Sequence, residues 1–186
     1  MKRFIMHFEK LAQQGRMKVH DSLASSVTTN IVDIRNENLR NSFQNYFNRD
    51  HRLQFVASIQ NVDFVDDAKA ENINSTWYAL EDMIKPVIWI TGGNDMNCDY
   101  SKLSDLVRNK VKCIVYMGDN IDSILDNFQG LVDKIIVGNS MEDSVLKAFD
   151  NSIRGDVILL SPACPDNNYE SFNEKGISFK KAVNKV

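Results

Sequence analysis

Three charged side chains, Asp67, Lys69 and Glu71, stand at alternate positions of the run Asp66-Asp67-Ala68-Lys69-Ala70-Glu71. Two carboxylates flanking an ammonium offer acceptors and a cation to a polar ligand, provided the backbone holds them together. Upstream, Val62 to Asp66 alternates apolar and polar residues with β-branched valine, which predicts a half-buried strand. Downstream, Trp77, Leu80 and Ile84 recur at helical spacing. Asn72 and Asn74 can each accept the orphan N–H groups of a new helix. The run reads strand, short loop, helix, and open α/β sheets bind ligands at strand carboxyl ends and helix N-termini. A solvated loop of mixed charge fits the same residues, and spacing alone leaves both readings open.

The remaining chemistry-bearing residues do not gather. His7, His20 and His51 are scattered and form no metal or triad pattern. Asp95, Asp99 and Asp105 are too dispersed for a calcium loop and lack its glycine. Cys98, Cys113 and Cys164 are odd in number and widely spaced, which suits free thiols in a reducing cytosol. Cys164, after Pro162 and Ala163, reads as a small buried thiol. No Gly-x-x-Gly-Lys-[Ser/Thr] loop occurs, so a backbone cradle for β- and γ-phosphates is missing.

The 186 residues, 43% hydrophobic and 25% charged, suit one good-sized domain with an appendage. A net charge of −3 gives no electrostatic footprint for nucleic acid. Val87-Ile88-Trp89-Ile90 is far too short to span a membrane. The start, Met1 to Met6, resembles a signal peptide, but His7, Glu9 and Lys10 end its apolar region. These features predict a cytoplasmic protein.

The elements that must position the charged run follow from periodicity. Met1 to Gln14 is short and ends at Gly15. Within 22–48, Leu23, Val27, Ile31 and Ile34 form one apolar stripe, and Leu39, Phe43 and Phe47 form another, predicting two amphipathic helices. From Asp50 the pattern changes. Leu53 to Ile59 and Val62 to Asp66 predict a hairpin turning at Gln60-Asn61. Strands at 87–91, 113–117, 134–137 and 157–160 alternate with helices at 101–109, 121–128 and 141–152, and 173–183 closes the chain. Ser140-Met141-Glu142-Asp143 resembles a capping box with Asp for Glu. This alternation predicts a three-layer α/β, Rossmann-like domain with a mostly parallel sheet over 50–186, preceded by the helical segment 1–49.

The charged run resembles the Asn-Asp-Ser-Lys-Ala-Thr-Asn motif of the Mur ligases, particularly their D-glutamate-adding branch, with Asn74-Ser75-Thr76-Trp77-Tyr78-Ala79-Leu80 following. Asp50-His51-Arg52-Leu53, Thr91-Gly92-Gly93-Asn94-Asp95 and Leu159-Leu160-Ser161-Pro162-Ala163-Cys164 fall in the family's order. The resemblance covers almost the whole chain but only the final part of such an enzyme, and it implies the C-terminal domain that closes over the nucleotide. Segment 1–49 would then be a remnant of the central ATPase domain, with Met17 and Lys18 replacing a His-Asn pair there.

What the resemblance implies divides into two sets. His51, Arg52, Asp67 and Lys69 match nucleotide-facing positions, where a guanidinium fork and an ammonium suit phosphate oxygens. Glu71, Met96 and Asp166 replace the threonine, lysine and serine that meet D-glutamate. Ala68 replaces the motif's serine, and the segment to Lys175-Gly176 is one residue shorter. The expected function is that of a domain from an ATP-dependent ligase of peptidoglycan precursor synthesis, inactive alone. It would bind ATP weakly, and Mg only with a complementing chain. A non-catalytic interaction or nucleotide-sensing module, and the product of a degraded gene, are the alternatives. The apolar stripes of 22–48 call for a cover: the C-terminal domain itself, a second copy of the chain as a two-fold dimer, or another protein, with the latter two favoured.

Overall fold

The computed structural model describes residues 51–94, 98–165 and 169–186. The expected helices of 22–48 lie outside them, as do Met17, Lys18, His20, Met96 and Asp166. Strands β1 (Gln54–Ile59) and β2 (Val62–Asp66) pair antiparallel, with Ile59 opposite Val62. The turn residues Gln60 and Asn61 have φ of +50° and +67°, the left-handed pair that matches the twist of a two-residue hairpin. Leu53, expected in β1, has φ +45° and precedes it.

Helix α1 (Ile73–Asp82) follows β2. Asn72 caps it, its side-chain oxygen accepting the Ser75 N–H at 2.9 Å, whereas Asn74 lies inside. Strand β3 (Val87–Thr91) leads through a 3-10 turn (Tyr100–Leu103) into α2 (Ser104–Lys110). Then come β4 (Val111–Tyr116), α3 (Ile121–Phe128), β5 (Lys134–Val137), α4 (Met141–Asp150), β6 (Val157–Leu160) and α5 (Phe172–Val183). Ser140 Oγ accepts the Asp143 N–H at 3.1 Å, but the Asp143 carboxylate reaches the Asn139 N–H at 2.8 Å. It thus closes the expected box one residue early.

The sheet order is β1-β2-β6-β3-β4-β5, with every pair except β1–β2 parallel. Val65, Trp89, Ile114, Tyr116 and Leu159 pack on one side against residues of α1, α2, α3 and the 3-10 turn. Phe64, Ile88, Ile90, Val115, Ile158 and Leu160 pack on the other against α4 and α5. The expected three-layer α/β architecture is therefore present. Among the described residues no helix is long and apolar enough to cross a membrane.

Two local readings need correction. Strand β2 is buried on both faces, because Val62 and Phe64 enter one layer and Val65 the other. Its polar position, Asp63, is only partly buried and pairs with Lys85. Ile84 does not continue α1 and is 100% exposed. Met83 is extended, and Lys110 Nζ takes the carbonyls of Leu80, Glu81 and Met83, terminating the helix.

The double substitution Gln60→Asn with Asn61→Gly places better left-handed residues in an unchanged turn. It should raise stability by about 1 kcal/mol, read as a higher urea midpoint at constant slope. An unchanged or lower midpoint contradicts this turn geometry.

Candidate functional site

The carboxyl end of β2 carries two consecutive buried aspartates, Asp66 and Asp67. A buried carboxylate is costly unless its oxygens are bonded, so both are held by groups from elsewhere in the chain. Asp66 Oδ2 lies 2.6 Å from His51 Nδ1 and 3.7 Å from Lys180 Nζ, and Oδ1 accepts the Ala68 N–H at 3.0 Å. Asp67 Oδ1 accepts the Leu53 N–H at 3.1 Å, and Oδ2 accepts the Ser161 hydroxyl at 3.2 Å. Ser161 Oγ is itself 2.9 Å from Thr76 Oγ1, which ties in α1. The Ser161 carbonyl takes the Trp89 indole N–H at 2.8 Å, which ties in β3.

These bonds fold segment 51–53 onto the loop that follows β2. Lys69 N–H donates to the His51 carbonyl at 3.1 Å, closing the contact through the backbone. His51 and Leu53 have φ of +61° and +45°, costing on the order of 1 kcal/mol each in non-glycine residues. The aspartate bonds offset that strain. On the far side of His51, a Cβ on Gly176 of α5 would collide with the imidazole, so this helix position requires glycine.

Of the four residues matched to nucleotide-facing positions, all four come together here. Arg52 is partly exposed and Lys69 exposed, while His51 and Asp67 are buried, only 5% and 3% exposed. Lys69 faces outward, its Nζ 5.0 Å from the Phe172 ring centre, while the Arg52 charge acts on the Asp67 carboxyl. The imidazole and the carboxylate face inward and hold the loop. Burial pushes the Asp67 carboxyl up to about 7, against the opposing pull of the Leu53 N–H, the Ser161 hydroxyl and the Arg52 charge.

Beside this loop lies an open cleft of about 570 Å³, lined by Glu71, Asn72, Asn94, Cys98, Ala163 and Pro165 among others. Glu71 Oε1 is 3.5 Å from the ammonium of Lys175, whose side chain is 1% exposed and stands 5.7 Å from the Tyr169 ring. Glu71 therefore presents a charge compensated by Lys175. Cys164 is not the isolated buried thiol expected, because it is joined to Cys98, Cα to Cα 6.3 Å. Strands β3 and β6 are sheet neighbours, so the loops after them run side by side despite 66 residues of separation. Among the described residues no group of three or more His, Cys, Asp or Glu is placed to hold a metal ion.

Sequence reasoning missed Asp66, Ser161, Thr76 and Lys175. The available signal for the first was a pair of aspartates ending an otherwise apolar strand, since such a pair must find partners. For Lys175 no local signal exists, because its burial comes from tertiary packing.

The family described as "Mur ligase, glutamate ligase domain" matches residues 51–164. A UDP-N-acetylmuramoylalanine–D-glutamate ligase of Porphyromonas gingivalis is 36% identical over 181 residues, 97% of this chain and 40% of that protein. A ligase of the same name from Christiangramia forsetii is 37% identical over 182 residues, 97% of this chain and 41% of that protein. The chain thus spans about two fifths of the length of these relatives, corresponding to their C-terminal part. The crystal structure of folylpolyglutamate synthase from Thermotoga maritima shares the fold at 11% identity and a TM-score of 0.50, over 74% of this chain and 31% of that one.

The raised Asp67 carboxyl sets a pH dependence. Its ordinary value is 3.8 and its folded value about 7, so between these limits the folded protein holds a proton that the unfolded chain has released. Stability from this group is complete below pH 3.8 and is lost as pH rises through about 7. The difference between wild type and Asp67→Asn, measured by urea unfolding across this range, should change by an amount on the order of 4 kcal/mol. A pH-independent difference contradicts the buried, protonated carboxyl.

Proposed function

The chain belongs to the Mur ligase family through its glutamate ligase domain, and on that premise we propose that it serves as the nucleotide-closing domain of a D-glutamate-adding ligase and does no chemistry alone. The observation that carries this reading is the placement of partly exposed Arg52 and exposed Lys69 beside an inward His51–Asp66 and Asp67–Ser161 network. A guanidinium fork and an ammonium on adjoining segments suit the phosphate oxygens of ATP. Asp67 acts as a positioning residue, since both its oxygens are engaged and its surface is covered.

In such a ligase, ATP phosphorylates a UDP-sugar-linked alanine carboxylate, and the amine of D-glutamate attacks the acyl phosphate. Positioning and charge neutralisation carry most phosphoryl-transfer catalysis, and this sequence contains no phosphate loop. The described residues do not gather a ligand set for Mg, so the metal is assigned to a complementing ATPase part and no step runs through it here. The Glu71–Lys175 pair stands at the position matched to a D-glutamate contact. A tethered carboxylate on that cation competes with the incoming amino acid for the same counter-charge.

Two outcomes follow. Phosphate release by the purified chain with ATP, the UDP-sugar alanine substrate and D-glutamate should stay at background, and turnover would overturn the reading. Titration with ATP should shift amides of 51–53 and 67–72 with a dissociation constant of about 1 mM, and Arg52→Ala should abolish those shifts. Shifts confined elsewhere, or none at tens of millimolar ATP, contradict the nucleotide site.

A further inference from the structure

The Cys98–Cys164 pair stands outside every role assigned so far, yet it forms part of the cleft wall. Cys98 is partly exposed and lines the cleft directly, together with Ala163, the residue before Cys164. Cys164 is 0% exposed, and the Tyr100 hydroxyl lies 3.3 Å from its sulfur. The third cysteine, Cys113, is buried in the other layer, and burial pushes its thiol up to about 11. The two bonded sulfurs are thus unequal in access, and the remaining thiol is inert by comparison.

We propose that Cys98 and Cys164 form a reversible thiol–disulfide exchange site on the cleft, with Cys98 the sulfur that meets external reagents and Cys164 the resolving thiol. The co-reactant is a low-molecular-weight thiol or its disulfide. In the reducing direction an external thiolate attacks Cys98 Sγ, the Cys98–Cys164 bond breaks, and the electron pair leaves on Cys164. The Tyr100 hydroxyl donates a hydrogen bond to that leaving thiolate. A second external thiolate then attacks the external sulfur of the mixed disulfide, freeing Cys98 and releasing the oxidised small-molecule disulfide. In the oxidising direction the Cys98 thiolate attacks a small disulfide, forming a mixed disulfide and expelling one thiolate. Cys164 loses its proton to solvent, attacks Cys98 Sγ and expels the second thiolate. Two S–H bonds are lost, one S–S bond forms, and the small disulfide takes up both electrons.

The mixed-disulfide intermediate has a spatial consequence. Its external group projects from Cys98 into the cleft of about 570 Å³, beside Asn72 and Asn94. Oxidation, by contrast, ties the loop after β3 to the loop after β6 and leaves the cleft clear. A small thiol therefore occupies the cleft that borders Glu71 only while the mixed disulfide on Cys98 awaits attack by Cys164.

Ellman's reagent, an aromatic disulfide, tests the assignment on the full-length reduced protein without denaturant. Wild type should release two equivalents of chromophore and retain no adduct by intact mass. Cys164→Ser, and Cys164→Ala as a second variant of different polarity, should release one equivalent and retain the adduct on Cys98, with amide shifts at Asn72, Asn74 and Asn94. Cys98→Ser should react at least about tenfold more slowly than wild type, because only buried thiols remain. A wild-type adduct that persists on Cys98 overturns the resolving role of Cys164. A Cys98→Ser variant that melts like wild type yet reacts as fast overturns the role of Cys98, and an adduct that leaves the three asparagine amides unmoved overturns its place in the cleft.

Discussion

Two adjacent buried carboxylates at the end of β2 set the arrangement of everything around the cleft. Asp66, the last residue of β2, and Asp67, the first after it, draw partners from different elements. Asp66 takes the imidazole of His51 and approaches Lys180 of α5. Asp67 takes the backbone of Leu53 and the hydroxyl of Ser161 after β6. Leaving either unbonded would cost several kcal/mol, more than the left-handed backbone at His51 and Leu53. The strained segment 51–53 therefore stays folded against the loop, and Arg52 and Lys69 share one surface as a result.

The cleft residues follow from the same constraint one step removed. Ser161 bonds Asp67, Thr76 and Trp89 through its hydroxyl and carbonyl, so the turn after β6 is held in place. Cys164 and Pro165 leave that turn toward the loop after β3, where Asn94 N–H reaches the Pro165 carbonyl at 2.6 Å. Lys175 and Gly176, on α5, are placed by the packing of that helix on His51. Glu71 closes the arrangement by pairing with Lys175. The exposed Lys69 and the Glu71–Lys175 pair thus flank opposite ends of one loop.

Much of this was legible in residue patterns, because local rules and tertiary packing agree. The hairpin at Gln60-Asn61, the Asn72 cap and the alternation of strands with helices each rest on a short-range physical preference. Readings failed where tertiary contacts outweigh local pattern. Asp63 made β2 look half-buried, yet both its faces are covered. Lys110 ends α1 before Ile84 can join it. The Cys98–Cys164 proximity and the Glu71–Lys175 pair depend on strand order and on helix α5, which spacing does not encode. The family motifs marked residues that gather at one loop, whereas the inward direction of His51 and Asp67 emerged only from their partners.

The central claim is that the aspartate pair locks segment 51–53 onto the loop after β2. Native-state amide hydrogen exchange at Leu53 and Lys69 tests it most directly, since these N–H groups donate to Asp67 and to the His51 carbonyl. In the wild type both amides should exchange only through global unfolding. In Asp66→Ala both should exchange through local opening, while amides of β3 and β4 keep their protection relative to global stability. Fast exchange at Leu53 and Lys69 in the wild type, or protection that Asp66→Ala leaves unchanged relative to the core, would contradict the account.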